Sequence, residues 1–172
     1  MTELLTARLR LRRARRDDLA DMYAILSDPR AMRYWSTPPH VDLAQTEAWL
    51  GSMIQATPGE SDDFVLEFGC RVIGKAGCWR LPEIGYILHP DCWGKGLTKE
   101  ALTAVIAHVF ATHDVEAIRA DVDPRNDASL GLLHRLGFAE THRVVCTWKV
   151  GEEWCDSVYL ELPRAGSPTP AA

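Results

Sequence analysis

The chain has 172 residues, 47% hydrophobic and 25% charged, a balance that suits one compact core and excludes disordered, fibrous and collagen-like classes. Its formal net charge of −5 argues against a nucleic-acid binder, whose affinity would rest on neutralising phosphates. Five cysteines without Cys-x-x-Cys spacing suggest neither a disulfide framework nor a metal site, and no stretch resembles a signal peptide or a membrane span, so a cytoplasmic protein with no membrane partner is expected.

Leu9 and Leu11 alternate with Arg8, Arg10 and Arg12 at period two, the pattern of a half-buried strand. The arginines read as its solvated face, with a docking patch for an acidic partner as the alternative. Leu19, Met22, Tyr23 and Leu26 then recur at helical spacing behind Asp17 and Asp18, and Pro29 closes that helix. A loop over residues 32–40 carries Tyr34, Trp35, Pro38, Pro39 and His40. Asp42, with Gln45 three residues on, opens a second helix that bears Trp49, Leu50 and Met53 and ends near Pro58 and Gly59. Runs at 64–68, 72–79 and 83–88 read as an antiparallel meander.

Trp93-Gly94-Lys95-Gly96-Leu97-Thr98 follows, and runs straight into a third helix whose stripe of Leu97, Ala101, Leu102, Val105, Ile106 and Val109 requires burial. Glycines at 94 and 96 can take positive φ and let backbone N–H groups converge on an anion at a helix N-terminus. An ordinary tight turn is the other reading. The stretch matches neither the Walker pattern nor a dinucleotide fingerprint, because Lys95 lies between the glycines and Lys99 occupies the third glycine slot. Ile118, Ala120 and Val122 alternate with polar residues up to Pro124. Asn126 and Ser129 then open a fourth helix with Leu130, Leu133 and Leu136 inside and Gly137 as its stop. Runs at 143–150 and 154–161 form a closing hairpin around Gly151, in which Trp148 and Trp154, like Trp79 in the meander, read as sheet-packing residues. The order β-α-α-β-β-β-α-β-α-β-β implies a mixed sheet with two parallel crossovers, through the third and fourth helices.

That order, the W-G-K-G-L-T-K-E-A stretch from Trp93 and the N-D-A-S-L-G-L-L-H-R-L-G-F stretch from Asn126 together resemble the GCN5-related N-acetyltransferase (GNAT) superfamily, over almost the whole chain. Thr6-Ala-Arg8-Leu9-Arg10-Leu11-Arg12 is similar to the T-x-R-L-x-L-R opening of the ribosomal-protein alanine N-acetyltransferase branch. The resemblance implies an α+β fold with one mixed, mostly antiparallel sheet of about seven strands and four helices. It also implies a single domain over 1–163 with a flexible tail over 164–172.

For function, the resemblance implies an enzyme that moves an acetyl group from acetyl-CoA to a primary amine, either a protein N-terminus or a small amine, by direct transfer. A catalytically silent acyl-CoA binder is the alternative and a plain interaction module a third; monomer and homodimer are both open. The family's Q/R-x-x-G-x-G/A slots fall on Trp93, Gly96 and Thr98, two of which depart from the pattern. The amides of Gly94, Lys95, Gly96, Leu97 and Thr98 are expected to hold the pyrophosphate. Tyr86, Ile87 and Leu88 are expected to pair with the pantetheine arm through their backbone, and Asn126 and Ser129 to approach it, unless Asn126 is only a helix cap. Glu83 is the candidate base, with Glu67 or water as alternatives. Many relatives place a tyrosine acid where this chain has Leu133, so Ser129 or water is expected to assist the thiolate. Tyr34, Trp35 and Tyr86 are the candidate acceptor contacts.

Overall fold

A computed structural model describes residues 2–57 and 59–165, so the expected helix end at Pro58 and most of the expected tail, residues 166–172, lie outside the described residues. The elements in chain order are β1 (Glu3–Leu5), β2 (Arg10–Arg12), α1 (Leu19–Leu26), α2 (Leu43–Gln55), β3 (Asp62–Phe68), β4 (Arg71–Arg80), β5 (Glu83–Leu88), α3 (Leu97–Thr112), β6 (Ala117–Val122), α4 (Asp127–Arg135), β7 (Ala139–Val150) and β8 (Glu153–Pro163). The sheet has eight strands rather than about seven. The addition is β1, whose three residues are too few for an alternating pattern to show, and which is recruited by pairing Leu4 with Leu11.

Strand order is β1-β2-β3-β4-β5-β6-β8-β7, antiparallel throughout except between β5 and β6. The α3 crossover returns the chain beside β5. The α4 crossover lands one strand further out, because β8 inserts between β6 and β7, antiparallel to both. β5 and β6 meet only where Glu83 faces Arg119, with the Arg119 N–H donating to the Pro82 carbonyl at 3.0 Å. Beyond that point the strands part.

Period-two alternation sends neighbouring residues to two cores. Phe64, Leu66, Ala76 and Ile84 pack under α3 and α4 with Leu102, Val105 and Leu133. Val65, Val72 and Ile87 pack under α1 and α2 with Met22, Ile25 and Leu50. At the far end of α3, Asp62 binds His108 (2.6 Å) and His113 (2.8 Å) through one carboxylate oxygen and Arg13 through the other. The closing hairpin is less covered: β7 packs mainly on β8, and Trp79, Trp148 and Trp154 are about half exposed rather than packed into the sheet.

The arginine run is not simply a solvated face. Arg8 and Arg10 reach solvent, but Arg12 is buried because the turn into α1 closes over it. Its guanidinium donates to both carboxylate oxygens of Asp18, at 2.9 and 2.7 Å, and to Glu67 at 2.7 Å. Asp18 also accepts the Arg15 backbone N–H. Asp18→Ala should cost about 3 kcal/mol in urea unfolding, because it removes two hydrogen bonds from a buried cation and leaves it Glu67 as its one carboxylate partner; a loss under about 1 kcal/mol, the size of an exposed pair, would show that solvent reaches Arg12.

Candidate active site

The chain leaves β5 through a short turn, Pro90–Cys92, which the His89 ring caps by accepting the Asp91 N–H at 3.2 Å. The Trp93 indole N–H donates to the Leu88 carbonyl at 2.9 Å, and the Lys95 ammonium folds back onto the Asp91 carbonyl at 2.7 Å. Gly94 (φ 71°) and Gly96 (φ 75°) take left-handed conformations that side chains resist. Gly96 is also the N-cap of α3 and has no side chain to satisfy the first turn. Among the described residues, the N–H groups of residues 94–99 have no protein acceptor. Six uncapped donors at the positive end of a sixteen-residue helix suit an anion. Leu97 contributes only its amide, since its side chain is buried in the core, and half-buried Thr98 lines the cleft.

This turn is braced from the N-terminal strands, by residues whose role the sequence pattern leaves unassigned. Glu100, in the first turn of α3, accepts from the Thr6 hydroxyl (2.6 Å), the Arg8 backbone N–H (2.8 Å) and the Arg8 Nε (2.7 Å). Arg8 also donates to the Lys95 carbonyl at 2.9 Å. Burial alone would raise the Glu100 pKa, but the hydrogen bonds from Thr6 and Arg8 hold its carboxyl below the usual range. The T-x-R opening and the glycine turn are therefore one physical unit.

The turn opens on a cleft of about 1930 Å³ that runs through the gap between β5 and β6. Because main-chain groups alternate along a strand, Pro82, Ile84, Tyr86 and Leu88 present theirs to the gap. Ile87, expected among the coenzyme contacts, turns its carbonyl towards β4, 2.2 Å from where a Cβ on Gly74 would lie, so its backbone is committed to the sheet. The Leu88 carbonyl already accepts from Trp93. Tyr86, expected on the acceptor side, instead projects to the α3/α4 face. There its hydroxyl meets the Ser129 hydroxyl at 2.5 Å, joining the two walls of the gap. Burial pushes the Tyr86 phenol up to about 12, partly offset by the Ser129 bond. Asn126 caps α4 by accepting the Ser129 N–H at 3.1 Å, and Leu133 is fully buried.

On the opposite face, Glu83 lines the cleft with 40% of its side chain exposed and holds Arg80 at 2.9 Å. Glu67 is committed to Arg12 and does not line the cleft, which removes it as a candidate base. Tyr34 and Trp35 do line it, with the Arg33 guanidinium 5.4 Å from the Tyr34 ring. His40 belongs elsewhere: it is buried, with its Nδ1 2.8 Å from the Thr46 hydroxyl, and burial lowers its pKa. Two residues without a role in the sequence reading, Asp63 and Lys75, form a buried pair (2.8 Å) in the same wall. A lysine inside Val-Ile-Gly-Lys-Ala-Gly-Cys, a run of otherwise buried strand, was the available signal.

Asp62, His108 and His113 place candidate metal-ligand atoms within 4.8 Å of one another, a convergence hidden by their sequence separation. The guanidinium of Arg13 already neutralises that carboxylate, so the cluster reads as a tie between β3 and α3.

Gly96→Val places a β-branched side chain at a positive φ, with its Cβ in ordinary contact with the Arg8 guanidinium at 3.6 Å, so its cost is mainly backbone strain of about 1–2 kcal/mol. Acetyl-CoA affinity, measured by calorimetry, should fall about tenfold or more while circular dichroism stays native; unchanged affinity would remove the turn from the anion site.

Comparison with known proteins agrees with this geometry. A family model described as an acetyltransferase (GNAT) domain matches residues 8–139, well over half of the chain. The N-acetyltransferase p20 of Bacillus licheniformis, itself uncharacterized, is 31% identical over 148 residues, 80% of this chain and 83% of that protein. The ribosomal protein uS5-alanine N-acetyltransferase of Escherichia coli (strain K12) is 35% identical over 86 residues, 50% of this chain and 44% of that protein. Among solved structures, a ribosomal-protein-S5-alanine acetyltransferase from Vibrio fischeri has a TM-score of 0.81 at 19% identity, covering 98% of this chain and 100% of that one. A spermidine N-acetyltransferase from Vibrio cholerae, solved with CoA and spermine, has a TM-score of 0.78 at 20% identity, covering 91% and 96%. The glycine turn, the parted strands and the family match lead to one assignment: the chain belongs to the GNAT acetyltransferase family.

Proposed function

We propose that the chain is an acetyl-CoA-dependent N-acetyltransferase that acts by direct transfer on a primary amine entering from the α1/α2 face. The observation that carries this reading is the uncapped glycine turn at the N-terminus of α3, opening directly onto the gap between β5 and β6. Free N–H groups and a helix dipole suit a pyrophosphate, and an unpaired strand edge suits an extended arm that bears amides. When bound, acetyl-CoA supplies an activated acyl group and a thiolate leaving group. Residues 94–98 would hold its phosphates and the backbone of Tyr86 its arm, with the Asn126 amide nitrogen free to donate nearby.

Glu83 and Tyr86 lie three residues apart on opposite faces of β5, so the two proton roles separate in space. Glu83, open to the cleft, takes the proton of the attacking amine, directly or through a water. Tyr86 keeps its proton, because burial makes the phenol a weaker acid than a thiol, and offers its hydroxyl beside Ser129 as a hydrogen bond to the departing sulfur, which leaves as the thiolate. A phenol from β5 thus does the work that many relatives assign to a helix tyrosine, where this chain buries Leu133. Folding favours the protonated phenol: its contribution to stability is complete below the ordinary value of 10.0 and lost as pH rises through about 12. The donor therefore does not titrate across the neutral range.

Glu83→Gln should lower kcat at neutral pH about 100-fold, and Tyr86→Phe about tenfold or more, with acetyl-CoA affinity nearly unchanged in both. Free-thiol release with an amine panel reads the first quantity and calorimetry the second. Full activity in Glu83→Gln would return the base role to water. Tight acetyl-CoA binding with no turnover on any amine would favour the silent binder.

A further inference from the structure

Asp121 is a carboxylate of the acceptor cleft that neither the coenzyme site nor the proton transfers use. Ile118, Ala120 and Val122 turn from β6 into the core under α3 and α4, so Arg119 and Asp121 project to the opposite face, where Glu83 stands. The register of Glu83 with Arg119, carried two residues along both strands, sets Gly85 across the gap from Asp121.

Charge pairing along this wall singles Asp121 out. Its neighbours each face a cation: Glu83 has Arg80, Glu161 draws Arg119 to itself at 2.8 Å, and Asp123 has Arg125. Asp156 has no cation but is turned into the hairpin, where it accepts the Cys146 N–H at 2.8 Å. Asp121 has none either among the described residues. Its Oδ2 accepts the Trp148 indole N–H at 2.9 Å, and its Oδ1 accepts from no described protein group. A neutral N–H orients a carboxylate without cancelling its charge, so a fixed anion faces the cleft.

Between Glu83 and Asp121 the surface is bare and apolar. Gly85 places no side chain there, and the Trp79 indole lies 3.5 Å from where its Cβ would be. Trp79 and Trp148 are each about half exposed, which leaves ring surface for methylene groups. Two residues of strand separate the carboxylates, roughly 7 Å, the reach of an extended chain of about five methylenes. We propose that Asp121, oriented by Trp148, binds a second cation on the acceptor, so that the preferred acceptor is a linear diamine. This rests on the transferase reading above. The reacting amine gives its proton to Glu83 and forms the C–N bond as the C–S bond breaks and the thiolate leaves. The other amine stays protonated on Asp121 and takes no part in the transfer.

The test compares cadaverine, pentylamine and δ-aminovalerate, five-carbon amines that end in a cation, a methyl group and an anion, by kcat/KM counted per amino group, alongside calorimetry with acetyl-CoA. Cadaverine should exceed pentylamine about fivefold, the upper size of an ion pair that solvent reaches, and δ-aminovalerate should be the poorest. Asp121→Asn keeps an oxygen for the Trp148 indole but loses the charge, and should abolish the advantage of cadaverine through KM; Asp121→Glu should recover part of it. Equal rates, a preference for pentylamine or δ-aminovalerate, an advantage that survives Asp121→Asn, or acetyl-CoA binding without turnover of cadaverine would each overturn the proposal. So would a fall in kcat for all three amines in Asp121→Asn with KM unchanged, which would make Asp121 part of the proton transfer. Failure of the unmodified protein to bind acetyl-CoA would remove the transferase reading and this inference with it, whereas turnover with the wrong ranking removes this inference alone.

Discussion

One parallel contact between β5 and β6, at Glu83 and Arg119, governs the rest of the molecule. Up to that point the sheet is continuous and its backbone groups are paired. Past it, the groups of Tyr86 and Leu88 on one wall have no strand opposite. Buried backbone polar groups are rarely left without partners, so a sheet that parts must supply local hydrogen-bond partners or admit a ligand. This one does both. The Trp93 indole occupies the last carbonyl, and the Tyr86–Ser129 bridge spans the opening, while the donors of residues 94–99 stay free.

The parting also explains why the two cores can serve different chemistry. Because side chains alternate across β5, the same six residues give Glu83 and Gly85 to the acceptor wall and Tyr86 to the opposite one. In the proposed reaction an amine and a thioester sulfur would then be served from opposite sides of one strand. The same alternation separates Asp62 from Asp63: one anchors the end of α3 through two histidines, and its neighbour faces the cleft beside Lys75.

Much of this was legible in the chain because it rests on local rules. Period-two and helical spacing placed every helix and all strands but β1, and the glycines at 94 and 96 announced a left-handed turn before a helix. What stayed hidden depends on distant partners. Arg12 carries the same alternating signal as Arg8 and Arg10, and only the return of Asp18 and Glu67 buries it. The rotation of β5 that commits Ile87 to the sheet and turns Tyr86 towards Ser129 needs the register with β4. Asp63 meets Lys75 only when β3 and β4 are paired. Tertiary register, not propensity, decided these positions.

The brace on Glu100 has a consequence of its own. Thr6 and Arg8 belong to the short ribbon of β1 and β2, and they hold the carboxylate of the first turn of α3 and the carbonyl of Lys95. Whatever anion settles on the turn must therefore draw part of its binding energy from the docking of that ribbon, and docking must in turn be favoured by the anion. Hydrogen exchange at residues 9–12 would slow on saturation with coenzyme, and a bulky fusion ahead of Thr6 would register as weaker coenzyme affinity although it touches no ligand atom.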